Sequence, residues 1–431
     1  MKASNYSKDV LIIGGGFAGM NAARLLSQEK ITCEIYTSGF GASNLWVGTI
    51  DLLKCKGNNL EEEFNRFKKT NPNHPYIHLN FQEIEEGISN FSNDFPNLTI
   101  FRKNGKITNG QVLTTIGNIK PCIGAWNTIF QNLELLKENK FTFLIDFIEF
   151  NNSAMHLVAR SLNDRFDGEF KVLNLSFIEL LKRWNPELDD GAMPNNLSEN
   201  IIAKHLNDHA YDLNDFTSYI KKEIGEKFDF LEKNNISYLF PPILGTYNNK
   251  KIMEALSNGL KATCGELLSL SPSLMAKRLI QEFEQLLEQM LVEIKKGFVL
   301  MRLEKNMEEK NLKWRLTFKS RGGEERIINA KSVIFASGSL FQEGLFNSIK
   351  EMKENFKKNS ISIPNGMTTS YEFLFDHDKK QQTNLFACGS ALFRFMDGIS
   401  DEEEIKFGTG LGLTLSTSAK VSREIINRVN Y

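Results

Sequence analysis

Val10–Ile13 is an unbroken apolar run that leads into Gly14, Gly15 and Gly16, then into an Ala/Leu stretch with helical spacing that contains Gly19. The order predicts a strand, a tight turn, a helix and a second strand at Cys33–Tyr36. Small residues fill Ser38–Leu53, and a polar segment follows over 57–71, with two prolines in Asn71–Tyr76. Leu60–Phe67, Phe81–Phe91 and Phe216–Asn234 read as helices, whereas Phe141–Phe150, Lys171–Phe177, Tyr238–Phe240 and Cys264–Leu270 read as strands. A long helix is expected over Ser273–Lys296, then antiparallel strands at Val299–Lys305 and Lys313–Phe318, with a turn at Arg321-Gly322-Gly323 before Ile327. Two short buried strands, Ser332–Ser337 and Asn384–Cys388, each end at a glycine, and Gly408–Gly412 opens a last helix over Leu413–Arg428. No repeat, low-complexity tract or flexible linker interrupts this order. Residues 1–60 and 265–431 are therefore expected to form one discontinuous α/β domain, with 61–264 an inserted mixed α/β region.

Each glycine of the first turn has a task. Gly14 permits the turn, Gly16 lets backbone amides approach a phosphate, and Gly19 lets the helix pack on the strand. Amides at the helix start, beside Phe17 and Ala18, then face an anion. Two distant pieces suit the same ligand: Val333–Gly338, an apolar strand ending in small residues, and Leu385–Ser390, followed by the glycines at 408–412. This ordered trio resembles the flavoproteins with two dinucleotide-binding domains, a Rossmann-like FAD/NAD(P)-binding fold. In those proteins a glycine-rich C-terminal helix start lies against the flavin ring, where its dipole stabilises negative charge on the reduced form. The expected cofactor-binding residues are Gly14, Gly16, Phe17, Ala18, Gly19, Thr37, Ser43, Gly48, Thr49, Gly338, Gly389, Ser390, Gly410 and Leu411.

One position departs from the pattern. An acidic residue normally ends the second strand, roughly 20 residues after the glycines, and binds the adenosine ribose. Thr37 stands there, and Glu34 lies earlier in the strand. The missing carboxylate weakens the case for an adenine dinucleotide without excluding FAD, since a hydroxyl also reaches a ribose, and FMN becomes an alternative. No second GxGxxG occurs in a strand–helix context, so no separate nicotinamide domain is visible.

Composition narrows the class further. The 431 residues carry a net charge of −1, which gives no argument for a nucleic-acid partner. Cys33, Cys55, Cys122, Cys264 and Cys388 are scattered without a CxxC pair, so neither an iron–sulfur or zinc framework nor a redox dithiol is expected. That usage suits a reducing cytosolic compartment. Neither a signal peptide nor an apolar run near the ~20 residues of a membrane span is visible. Histidine first occurs at His74, which excludes histidyl attachment of a flavin near the first glycine turn.

The chain as a whole resembles the B subunit family of anaerobic glycerol-3-phosphate dehydrogenase. The resemblance rests on Gly14–Gly19, Ala42–Leu53, His74-Pro75-Tyr76, Thr114–Lys120, Pro272–Arg278, Phe335–Leu340 and Asn384–Ser390, in the family's order, with Ser390 where many related flavoproteins have aspartate. It implies a flavoprotein, described as FMN-binding, that pairs with an FAD-containing A subunit. An iron–sulfur C subunit would attach that pair to the inner face of the cell membrane and pass electrons towards a quinone. The implied reaction oxidises sn-glycerol 3-phosphate to dihydroxyacetone phosphate. A non-redox structural subunit of such a complex, or a stand-alone flavin oxidoreductase on another small substrate, are the alternatives.

A phosphorylated substrate needs cationic partners, and Lys120, Arg278 and Arg394 are the candidates. Arg278 leads because it follows the Ser271-Pro272 turn within a family-like stretch. Asp51 is a candidate to orient the Gly48-Thr49 loop. Pro75 lies between His74 and His78, and His205 and His209 suit a solvated helix face, so no histidine metal pair is expected. The sequence does not single out a catalytic base.

Overall fold

The computed structural model describes residues 6–53, 59–130, 132–138, 141–150, 153–187, 196–227, 236–269, 271–306, 313–338, 364–375, 382–396 and 410–429. The chain divides into two compact units: 1–44, 51–95 and 282–431 form the first, and 45–50 with 96–281 form the second.

The first unit is built on a seven-stranded sheet in the order Glu293–Lys296, Cys33–Thr37, Tyr6–Ile13, Glu325–Phe335, Trp314–Ser320, Phe298–Lys305, with Leu385–Ala387 also paired to Glu325–Phe335. Tyr6–Ile13 is central and parallel to both neighbours, with Ile13 opposite Tyr36 on one side and Phe335 on the other. Burial on both faces explains why its second half is apolar without alternation: Val10, Leu11, Ile12 and Ile13 are all at most 1% exposed. Helix Phe17–Gln28 follows, and it packs against the last helix, Leu411–Val429. That C-terminal helix buries a face of small polar residues (Ser416, Thr417, Ser418, Ser422), which lets it come close to its neighbours.

The Rossmann-like α/β fold is thus present, with two local differences from expectation. The helix expected over Ser273–Lys296 ends at Gln289, and Glu293–Lys296 is a strand parallel to Cys33–Thr37. Leu291 takes a left-handed conformation (φ 59°) that breaks the helix, and the open edge of Cys33–Thr37 then captures the backbone. The strand expected at Ser332–Ser337 is the second half of one eleven-residue strand, Glu325–Phe335. Its first half pairs with Trp314–Ser320, and its end pairs with Leu385–Ala387.

Residues 60–95 belong with the first unit, unlike in the expected division at residue 60. Helix Leu60–Thr70 is capped by Asn59, and Phe81–Asp94 by an Asn80/Glu83 capping box. The second helix delivers Phe91 and then Phe95 to a ring cluster with Phe283, whose ring also stacks on Phe17 at 5.8 Å. This burial, at about 1.5–3 kcal/mol per fully buried ring, ties the segment to the nucleotide-type fold.

The second unit has its own four-stranded parallel sheet, ordered Glu169–Leu175, Phe141–Phe147, Ile236–Phe240, Thr263–Glu266. Pairing of Thr263–Glu266 with Ile236–Phe240 carries residues 265–281 into this unit, in place of the boundary expected at 264/265. Helices Met155–Asn163, Phe177–Trp184, Glu199–Asp208 and Asn249–Leu260 surround the sheet. Phe177, expected at a strand end, starts a helix because the Glu149 carboxylate accepts its N–H at 2.8 Å and Ser176 caps the next turn.

Candidate functional site

The glycine turn sits at the carboxyl end of Tyr6–Ile13. Gly14 has φ +115°, and a Cβ there would lie 2.2 Å from the Ala336 carbonyl oxygen. Its own N–H donates to Tyr36 O at 2.9 Å. A Cβ on Gly19 would lie 2.0 Å from Gly14 O, so helix and turn touch through bare backbone. Gly16 is the N-cap of Phe17–Gln28 and supplies no capping side chain, and the first turn holds no acidic residue. The positive end of this helix is therefore left to an outside anion or to a neighbouring loop. Ser43, in the 3-10 turn Gly41–Leu45, comes to it: the Phe17 N–H donates to Ser43 Oγ at 2.9 Å, and a Cβ on Gly16 would sit 3.1 Å from that oxygen.

Thr37 ends the second strand at 4% exposure, and Gly15 has no room for a Cβ because Thr37 Cγ2 would be 2.7 Å away. Its hydroxyl donates to Gly39 O and accepts the Gly39 N–H at 3.1 Å. Glu34 does not replace the missing carboxylate. It is 1% exposed, with Lys295 Nζ 3.7 Å from one oxygen, and burial raises its pKa.

Two further sequence-predicted pieces meet the turn or its helix within this unit, and a third meets Asp51. Ala336, beside Gly338, closes on Gly14. Gly389 has φ +66° and would push a Cβ to 2.7 Å from Ala18 Cβ, so it rests on the glycine-turn helix. Ser390, half-buried, follows it in the turn Gly389–Ala391. Gly410 and Leu411 begin the C-terminal helix, where a Cβ on Gly410 would be 2.8 Å from Asp51 O and Gly412 N–H donates to that same oxygen at 3.0 Å. Leu411 is buried; Gly408 and Thr409 lie outside the described residues.

Sequence reasoning missed the groups that tie these pieces together. Thr417, fully buried on the C-terminal helix, accepts the Gly389 N–H at 2.9 Å while donating to Leu413 O at 2.8 Å. Asn21 Nδ2 donates to Ser418 Oγ at 2.7 Å, and Asn21 Oδ1 accepts from Arg24, whose guanidinium pairs with Asp94. The residues lie far apart along the chain, and only the alternation of small polar residues in 416–422 hints at a buried polar face.

Gly48 and Thr49 fall in the second unit. Thr49 is 1% exposed, its carbonyl accepts from Trp46 Nε1 at 2.7 Å, and Lys120 Nζ donates to its hydroxyl at 2.6 Å. Arg278 is not poised for a substrate phosphate. Its side chain is fully buried, with Nη1 2.7 Å and Nη2 3.0 Å from the two Glu266 oxygens and Nε donating to Gly245 O at 2.8 Å. Arg394 lies in the short helix Leu392–Phe395, and its side chain is outside those described. His74 is buried, its Nδ1 accepts the Tyr76 N–H at 3.1 Å, and burial pushes its pKa down to about 3. His209 stacks on Trp184 at 4.1 Å. Among the described residues no group of His, Cys, Asp and Glu could hold a metal ion, and no helix is long and apolar enough to cross a membrane.

The first unit thus offers a backbone cradle with no room for side chains and a helix start without its own carboxylate. Both suit the phosphate-bearing part of a flavin. The chain is 22% identical over 97% of its length to the B subunit of anaerobic glycerol-3-phosphate dehydrogenase from Mannheimia succiniciproducens, covering 98% of that protein. It is 24% identical, over 97% of its length and 99% of the relative, to the B subunit of the same name from Haemophilus influenzae strain PittEE. Among solved structures it is distantly similar to the open conformation of a flavocytochrome c3 fumarate reductase, with a TM-score of 0.34 and 9% identity, covering 84% of this chain and 37% of that one. The FAD binding domain family matches residues 9–370, so most of the chain, the glycine turn included, lies within the match and the protein belongs to that family.

Proposed function

We propose that this chain is a flavin-dependent oxidoreductase subunit of the anaerobic glycerol-3-phosphate dehydrogenase type. The observation that carries the reading is the cradle at Gly14–Gly19, where glycine backbone, the Phe17 amide and Ser43 converge on a helix start that lacks its own carboxylate. Similarity to the B subunits of that enzyme over nearly the whole chain supports it. In the proposed site the Gly16 and Ala18 backbone holds phosphate, Gly14 shapes the turn and Ser43 closes on the Phe17 amide, while Gly338, Gly389, Ser390, Gly410 and Leu411 border the ring. Bound there, the flavin supplies a two-electron acceptor for an alcohol carbon. The chain's own part is to hold the phosphate by backbone amides, to fix the Gly389 turn through Thr417, and to offer the start of the C-terminal helix to negative charge.

FAD is the first reading, because the family match indicates it. FMN remains the second, favoured by Thr37, whose hydroxyl is turned to Gly39 where a ribose-binding carboxylate is usual. We place the substrate as a small phosphorylated alcohol, sn-glycerol 3-phosphate, in line with the name of the similar B subunits. Electrons would leave through partner subunits, an FAD-containing A subunit and an iron–sulfur C subunit, towards a quinone. Any attachment to the cytoplasmic face of a membrane would come through them.

The test is to purify the chain, record its visible spectrum and identify the released cofactor against FMN and FAD. Gly16→Val should abolish retention with the circular dichroism unchanged, because the new side chain crowds Ser43. Co-purification with an A-type subunit and bleaching by glycerol 3-phosphate without oxygen complete the reading. A colourless chain that takes up neither flavin would overturn it in favour of a structural subunit.

A further inference from the structure

Away from the glycine cradle, two ammonium groups converge on adjacent carbonyls. Lys68, on helix Leu60–Thr70, donates to Leu79 O, and Lys420, on the C-terminal helix, donates to His78 O at 2.6 Å. Burial and then Lys420 and Lys68 lower the pKa of His78; burial lowers that of Lys68, with Glu83 opposing and Lys420 adding to the shift. Among the described residues one carboxylate stands against them, Glu83, whose Oε1 is 2.8 Å from Lys420 Nζ. Glu83 is itself shared with the Asn80 N–H as half of a capping box. Among the described residues the set therefore holds one positive charge more than its partners neutralise. It is also partly desolvated, since the Lys420 and Glu83 side chains are 17% and 20% exposed.

The donor count points the same way. An ammonium carries three N–H donors. Among the described residues Lys68 uses one of them on Leu79 O, and Lys420 uses two, on His78 O and Glu83. The His78 imidazole makes a ring contact with Tyr371, at 5.6 Å between centroids, and no side-chain hydrogen bond with a described residue. The Lys68 ammonium also lies over the Phe64 ring, at 5.6 Å from its centroid. Three ammonium N–H groups unspent on oxygens of described residues and an imidazole, anchored by carbonyls and not waving on free stems, are a preorganised receptor for a tetrahedral oxyanion.

We propose that Lys68, Lys420 and His78 form a binding site for the phosphate group of a small molecule, separate from the cofactor cradle. The anion neutralises the surplus charge and bridges the helix Leu60–Thr70, the turn Pro75–His78 and the C-terminal helix. Occupancy would thereby stiffen the helix whose first turn borders the proposed flavin ring.

The test is calorimetric titration of the full chain with inorganic phosphate and, separately, with glycerol 3-phosphate at low ionic strength. Saturable binding is expected, weakened at least tenfold in Lys68→Met and in Lys420→Met and left intact in Lys69→Met, an exposed neighbour. His78→Gln, which removes no side-chain hydrogen bond to the described residues, should fold and weaken binding several-fold, so the idea stays testable if a lysine variant does not fold. Tighter binding of the ester identifies a metabolite as the source; equal binding identifies free phosphate. Gly16→Val should leave this binding unchanged even where it empties the cofactor site, which separates failure here from failure of the flavin reading. Absence of saturable binding, or equal losses in Lys69→Met and Lys68→Met, would overturn the proposal.

Discussion

Arg278→Met distinguishes a structural arginine from a substrate ligand. In the wild type the guanidinium and the Glu266 carboxylate are both fully buried and paired through two contacts, at 2.7 and 3.0 Å. Glu266 has two other donors, the Leu244 N–H at 2.7 Å and the Thr128 hydroxyl. Methionine fills the space but leaves a buried carboxylate with those two donors alone and strips Gly245 O of its partner. Breaking a buried pair from one side costs about 3–5 kcal/mol, because the orphaned charge keeps its desolvation penalty. Adding Glu266→Gln removes the charge and keeps an acceptor for Leu244, so the double variant should recover about half of that loss, leaving the ~1–3 kcal/mol of imperfectly paired polar groups. The assay is urea unfolding followed by tryptophan fluorescence, since Trp46, Trp126 and Trp184 all lie in the second unit. An unchanged unfolding midpoint in Arg278→Met, with a loss confined to affinity for a phosphorylated ligand, would refute the structural assignment and restore Arg278 as a substrate residue.

Gly389→Ala forces a side chain into a φ of +66° and to 2.7 Å from Ala18 Cβ; it should cost about 1–2 kcal/mol in thermal unfolding and weaken flavin retention measured by fluorescence. Glu199 has its pKa raised from an ordinary 4.5 to about 7 by burial and then by Glu266. The folded chain therefore holds a proton that the unfolded chain has lost between those values, so stability falls as pH rises through this window. Glu199→Gln should flatten urea midpoints measured from pH 5 to 8, and parallel profiles for variant and wild type would show that Glu199 is not the group responsible. Thr37→Glu restores the carboxylate usual at the end of the second strand and should raise the ratio of FAD to FMN affinity in fluorescence titrations; an unchanged ratio would place the adenosine ribose elsewhere.

The parts of the fold legible in the sequence are those whose cause is local. An apolar run followed by glycines that must sit against carbonyl oxygens fixes the strand, turn and first helix over Tyr6–Gln28, and the structure has them in that order. Glu293–Lys296 was not legible. Its composition, Glu-Ile-Lys-Lys, suits the end of a helix, and it is a strand because the edge of Cys33–Thr37, over 250 residues earlier, pairs with it. The same holds for the unit boundary: aromatic residues of 60–95 look like any amphipathic helices until Phe17 and Phe283 are seen to receive them.

The candidate site divides along the same line. Glycines announce themselves because a missing Cβ is a property of one residue, and at Gly14, Gly19 and Gly389 the space a Cβ would need is taken. A cation in a sequence announces only its charge. Arg278 reads as a phosphate ligand until its carboxylate, 12 residues earlier on a strand of the second unit, is placed against it. Thr417 reads as an unremarked helical threonine until the Gly389 amide, 28 residues away, is found at its hydroxyl. For that reason the stronger functional signal in this chain lies in the positions that exclude side chains. The charged positions must first be cleared of internal partners, and by that criterion Lys68, Lys420 and His78, with donors unspent on described residues, warrant a ligand where Arg278 does not.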